Sequence, residues 1–114
     1  MKWIGRLLFA VAGVYAALLC LLFVKQRDLM YPRNPDRAEI AGVDLPGLEE
    51  TTLTADDGER LIAWVVPPRD GKPVLLFFHG NAGNFGRRVR QARFRALTED
   101  GTGLFAVNYR GYGG

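Results

Sequence analysis

The 114-residue chain has no serine, a single histidine (His79) and a single cysteine (Cys20). Each shortage excludes something. Without serine, no Ser-His-acid constellation can be assembled from these residues, and no base accompanies any threonine. A lone cysteine cannot close an intrachain disulfide, and one cysteine 59 positions from one histidine gives no metal-ligand spacing. No metal is therefore expected. Unbalanced charge is also scarce. The formal net charge of +3 comes entirely from residues 1–30, where Lys2, Arg6, Lys25 and Arg27 face Asp28 alone. The remaining residues carry 11 basic and 11 acidic side chains, so the folded part lacks the basic excess of a nucleic-acid binder. No nucleic-acid partner is expected.

Apolar length, by contrast, is plentiful near the start. Residues 7–24, opening on Leu7 and closing on Val24, hold 18 positions without a charge, bracketed by basic residues on both sides. That is just enough for a helix to cross the hydrocarbon of a bilayer. Trp3 and Tyr31 flank the run where interfacial aromatics sit. A cleaved signal peptide usually has a shorter apolar region and a small-residue cleavage site. Here Cys20 follows Leu19, a bulky residue that also argues against lipoprotein processing. The run is read as an uncleaved single-pass anchor in contact with the lipid bilayer. The free amino terminus and Asp28 tip the charge balance towards an N-terminus facing the cytoplasm, which places the soluble part on the extracytoplasmic side.

Residues 31–47 contain Pro32, Pro35 and Pro46 and no clear period, the pattern of a linker or an extended packed segment, with room for one helical turn over residues 36–41. Alternation resumes at Thr51, Leu53 and Ala55. Asp57-Gly58 supplies a turn, and residues 61–66 resume as a second strand of a hairpin. After a polar breaker, Val74, Leu75, Leu76, Phe77 and Phe78 form a run too short for a helix, expected as a strand buried on both faces.

That strand runs straight into His79, Gly80, Asn81, Ala82, Gly83 and Asn84. A helical period follows in Phe85, Val89, Ala92 and Ala96, predicting a helix over residues 84–99. The loop thus joins a strand's carboxyl end to a helix's amino end, where open α/β sheets bind ligands and N–H groups favour negative charge. Arg87, Arg88, Arg90, Arg93 and Arg95 fall in two groups on the helical wheel, the pattern of a solvated face rather than a phosphate stripe. Residues 104–107 form a further buried strand that feeds Asn108, Tyr109, Arg110, Gly111, Tyr112 and Gly113. Strand, helix and strand on short links make a βαβ unit.

A hairpin, a strand ending in His-Gly-Asn-Ala-Gly-Asn, a helix and a strand ending in Asn-Tyr-Arg-Gly-Tyr-Gly together resemble the α/β-hydrolase superfamily. Within it, the chain looks like the membrane-anchored serine hydrolases related to serine aminopeptidases and acyl hydrolases. The resemblance implies an α/β fold: residues 1–30 as an anchor, 31–47 as a linker, and 48–114 as the first part of the hydrolase fold with its sheet incomplete. It implies a small acyl substrate and no cofactor. Family position makes the backbone N–H of Asn81 an oxyanion-hole donor, with Ala82 as its neighbour. His79, Gly80, Gly83, Arg110, Gly111 and Gly113 match structural residues of the two loops, and His79 is not the family's base, which follows the nucleophile in sequence. Asn108 stands where many relatives have aspartate. Nucleophile, acid and base are all missing, so the sequence reads as the N-terminal portion of a serine hydrolase, inactive alone. The alternative is a non-catalytic, membrane-tethered module that pairs with another chain.

Overall fold

The computed structural model describes residues 2–113. Met1 and Gly114, the outer limits of the expected anchor and hydrolase region, lie outside the described residues. The chain divides into two units, one ending at Tyr31 and the other beginning at Pro32.

The first unit is helix α1, Lys2–Met30, 29 residues with none buried. At 1.5 Å per residue it is about 44 Å long, more than the roughly 30 Å of a bilayer's hydrocarbon. Its apolar side chains, among them Phe9, Leu18, Leu22 and Val24, are exposed on all sides. By length and composition it is able to cross a membrane, a test that signal sequences also pass.

The second unit is a four-stranded sheet with one helix on it. Strand β1 (Glu49–Thr54) pairs antiparallel with β2 (Arg60–Val66), and β2 pairs antiparallel with β4 (Gly103–Val107). Strand β3 (Val74–Phe78) lies parallel to β4 at the sheet edge, giving the order β1-β2-β4-β3, with α2 (Arg88–Thr98) between β3 and β4 in the chain. The expected hairpin and βαβ unit are both present. The hairpin loop, residues 55–59, closes through Ala55 N–H on Glu59 O and Gly58 N–H on Ala55 O.

Register decides which residues meet. Trp64 stands opposite Ala106, and Ala106 opposite Phe77, so these share one face with Ile62, Val66, Leu75 and Leu104. That face carries the core. Phe85 packs on Trp64 at 4.5 Å between ring centroids, and Phe94 of α2 meets Phe77 edge-on at 4.8 Å. Ala38, Leu45, Val43 and Leu48 complete the cover. Residues 32–47 therefore contain no strand or helix, yet they belong to the packed unit; in place of the helical turn for which 36–41 had room, the chain bends at Asp36 and turns at 41–42.

Strand β3 departs from expectation. Val74, Leu76 and Phe78 are 47%, 62% and 59% exposed, so it is not buried on both faces. The reason is its place: it has a ladder partner on one side only, and α2 lies on the opposite face of the sheet, against Phe77.

The core geometry predicts that Phe94→Ala, which empties a fully buried site, destabilises the unit by about 3–5 kcal/mol. Urea unfolding followed by tryptophan fluorescence measures it; a midpoint unchanged from the parent would contradict the packing described.

Candidate functional site

Parallel pairing places the carboxyl ends of β3 and β4 side by side. The loop after β3 (residues 79–87) and the loop after β4 (residues 108–113) consequently meet, and the contacts between them define the candidate site.

His79 sits at the junction, 3% exposed. Its Nε2 accepts the backbone N–H of Tyr109 at 3.2 Å, and its Nδ1 lies 2.7 Å from Gly80 O. Each partner is one-way: a backbone N–H only donates and a carbonyl only accepts. The ring is therefore neutral, with its proton on Nδ1. Tyr109 and Tyr112 flank it at 4.4 and 5.0 Å between centroids. Burial lowers the His79 pKa below its usual value; the bond to Gly80 opposes this, and the Arg90 charge adds to the lowering. Both nitrogens are committed, so the ring is in no position to act as a general base.

Beyond Gly80, the loop rises to exposed Asn81 and Ala82 and descends to buried Gly83, Asn84 and Phe85. The Tyr112 hydroxyl donates to Asn81 O at 2.7 Å. The Arg90 guanidinium donates to Ala82 O at 3.1 Å and to Asn84 O. Gly83 has φ 69°, a left-handed conformation that glycine adopts without a Cβ penalty. Asn84 Oδ1 accepts the N–H of Gly86 at 2.9 Å, and Asn108 Oδ1 accepts that of Phe85 at 3.2 Å. These side chains hold residues 84–87 in a turn, so α2 begins at Arg88 rather than at the expected residue 84.

The second loop is held as firmly. Gly113 N–H donates to Asn34 O at 2.8 Å, while Asn84 Nδ2 donates to Asp36 O at 2.9 Å, so the segment after Pro32 braces both loops. Gly113 (φ 72°) leaves no room for a Cβ, whose place is taken by Asn108 Nδ2. That Nδ2 is buried with no hydrogen-bond partner among the described residues. Arg33 packs beside Gly111. Arg110 makes a two-pronged ion pair with Asp57 of the hairpin loop, and this pairing lowers the Asp57 pKa. Both side chains are exposed, so the pair orients the loops more than it stabilises them.

The structure thus brings His79, Gly80, Asn81, Ala82 and Gly83 together with Arg110, Gly111 and Gly113 at one end of the sheet. Sequence reasoning missed Arg90, Tyr112 and Asn84 as parts of this cluster. The helical wheel alone puts Arg90 on a solvated face. Its spacing, six and eight residues beyond the two carbonyls it binds, was the signal that an arginine in the first helical turn could fold back over the loop. A separate cavity of about 450 Å³, lined by Pro46, Val66, Pro68, Arg95 and Thr98, lies at the opposite end of β4 and contains none of these residues. No group of three or more His, Cys, Asp or Glu residues able to hold a metal occurs among the described residues.

No family model matches the chain. An Arabidopsis thaliana protein, the α/β hydrolase domain-containing protein WAV2, is 30% identical over 118 residues, covering 97% of this chain and 38% of its own. This relative supports the α/β-hydrolase superfamily for the chain. Protein bem46 of Schizosaccharomyces pombe is 31% identical over 102 residues, covering 81% of this chain and 33% of its own. An uncharacterized protein of Mycobacterium tuberculosis is 32% identical over 106 residues, 91% of this chain and 37% of its own. One solved structure, from a study of two esterases of Rhizomucor miehei, superposes with a TM-score of 0.44 at 20% identity, covering 75% of this chain and 28% of that one. The chain spans about 38% of the length of WAV2.

Two outcomes follow from the geometry. Protonating His79 would set a ring N–H against the N–H of Tyr109, so the folded state resists it. Because the folded pKa lies below the unfolded value of about 6.5, the unfolded chain binds more protons in that window. The His79 contribution to stability is therefore complete above about pH 6.5 and is lost as pH falls towards the folded pKa. Histidine titration by NMR reads the depressed midpoint, and His79→Gln should flatten the fall of urea stability as pH drops below about 6.5. Gly113→Ala would drive a methyl into the Asn108 amide and strain a left-handed residue, so its melting temperature should drop by several degrees. An undiminished melting temperature would contradict that contact.

Proposed function

We propose that this chain is the anchored, oxyanion-binding part of a membrane-bound serine hydrolase that cleaves small esters, thioesters or amides. Helix α1 serves as a single-pass anchor in the bilayer, with the sheet on the extracytoplasmic side. The observation that carries the catalytic reading is the exposed turn at Asn81 and Ala82, set at the carboxyl end of β3 and held from beneath by His79, Tyr112 and Arg90.

In acyl transfer, a nucleophile's lone pair forms a bond to the carbonyl carbon, and the C=O π pair moves onto oxygen. The backbone N–H of Asn81, with Ala82 beside it, stabilises that developing negative charge. Collapse of the adduct restores C=O and expels the alcohol, thiol or amine, which takes up a proton; water then repeats the sequence to release the acid. Nucleophile, acid and base come from outside these 114 residues, which hold no serine. His79 keeps the loop in shape and moves no proton. No cofactor is needed for this chemistry.

The complete membrane-bound protein, assayed with p-nitrophenyl acyl esters, tests the reading. Inserting two residues between Ala82 and Gly83 displaces the donor and should lower kcat by about 10²–10³-fold. Unaltered turnover would refute the role of the loop. Alkaline carbonate extraction should leave the protein in the bilayer fraction, and release into the supernatant would count against the anchor. A second reading, a tethered non-catalytic module that pairs with another chain, draws on the exposed row Val74, Leu76 and Phe78. It is favoured only if the complete protein hydrolyses no ester and copurifies with a defined partner.

A further inference from the structure

The carbonyls along the turn are gripped one after another, each by a different side chain. Gly80 O meets His79 Nδ1, Asn81 O takes the Tyr112 hydroxyl, and Ala82 O takes Arg90 Nη2. These grips have a geometric consequence. The described peptide bonds are all trans, and in a planar trans peptide the C=O of one residue and the N–H of the next point in opposite directions. Holding Gly80 O fixes the direction of the Asn81 N–H. Holding Asn81 O fixes that of Ala82, and holding Ala82 O fixes that of Gly83. Every N–H at the crest is aimed from its reverse side.

We propose that Tyr112 and Arg90 are positioning residues that set the oxyanion-binding geometry by fixing the peptide planes at 81–82 and 82–83, the two planes that directly follow the 80–81 plane carrying the Asn81 N–H and keep it from swinging. This inference rests on the hydrolase reading above and adds two residues to it. Tyr112 is 6% exposed, its ring is wedged beside the His79 imidazole, and its hydroxyl reaches a loop 31 positions away. Arg90 binds two carbonyls from one guanidinium, a planar fork that a lysine ammonium cannot reproduce. Burial of the guanidinium lowers its pKa, the neighbouring Arg87 adding to the effect, and it remains charged at neutral pH. Neither side chain needs to touch the substrate. Their effect passes through the backbone, so it should appear in kcat, where the oxyanion forms, and not in KM.

The test uses Tyr112→Phe, which removes one hydroxyl, and Arg90→Lys and Arg90→Met, which progressively remove the fork. On the 114-residue chain, ¹⁵N relaxation should show the amide order parameter of Ala82 falling from about 0.85 to below about 0.6 in Y112F, and that of Gly83 doing so in R90M. Amides of β2 and β4 should keep parental values, which separates local release from unfolding. On the complete protein, turnover per active site titrated with an organophosphonate should fall at least about tenfold in Y112F and R90M, with KM within about twofold. R90K should lie between R90M and the parent. Unchanged order parameters in both Y112F and R90M would overturn the proposal, as would loosened amides with full turnover. If the parent protein hydrolyses no ester, the functional reading fails, whereas the relaxation data still decide whether these side chains hold the peptide planes.

Discussion

The site depends on one requirement: two loops at neighbouring strand ends must satisfy each other's backbone polar groups. Each loop leaves its strand where the ladder of interstrand hydrogen bonds ends, so its N–H and C=O groups need new partners. The His79 ring answers this for both loops, taking an N–H from one and giving its own N–H to a carbonyl of the other. Asn84, Asn108 and Tyr112 extend the same arrangement. Parallel pairing of β3 with β4 makes it possible, because only parallel neighbours bring both carboxyl ends to the same edge.

Energetically the unit is one-sided. One sheet face is packed by α2, Phe85 and the segment from Pro32 to Leu48, and the other shows Val74, Leu76 and Phe78 to solvent. The segment after Pro32 contributes more than its irregular backbone promised. Ala38 and Leu45 lie in the core, while the carbonyls of Asn34 and Asp36 hold the two site loops. The exposed ion pairs, Arg110 with Asp57 and Lys72 with Asp100, lie outside this core and contribute little beyond fixing direction.

Much of the fold was legible because it is written locally. Residues 74–78 form the strand that their apolar run implied, and the Asp57-Gly58 turn and the periodic helix stand near where they were expected. Gly83, Gly111 and Gly113 take left-handed φ, a backbone demand that leaves a mark on residue type. What escaped was set by distant contacts. The helix starts late because residues 84–87 are held in a turn by the side chains of Asn84 and of Asn108, the latter 23 residues beyond Phe85. Arg90 shares its helix with several surface arginines, and its place over Ala82 and Asn84, at the start of the helix, separates it from Arg93 and Arg95. Exposure of β3 was illegible for another reason: an apolar run says what a strand would bury, not whether anything covers it.

The solitary histidine gives the chain a property unrelated to its chemistry. Reagents that acylate imidazole need an accessible nitrogen with a free lone pair. In the folded unit the imidazole of His79 offers neither: it is buried, with its proton on one nitrogen and a backbone N–H on the other. Opening the junction between the loops would uncover it. Acylation of His79, located by mass in its own peptide, would then time the opening of this junction.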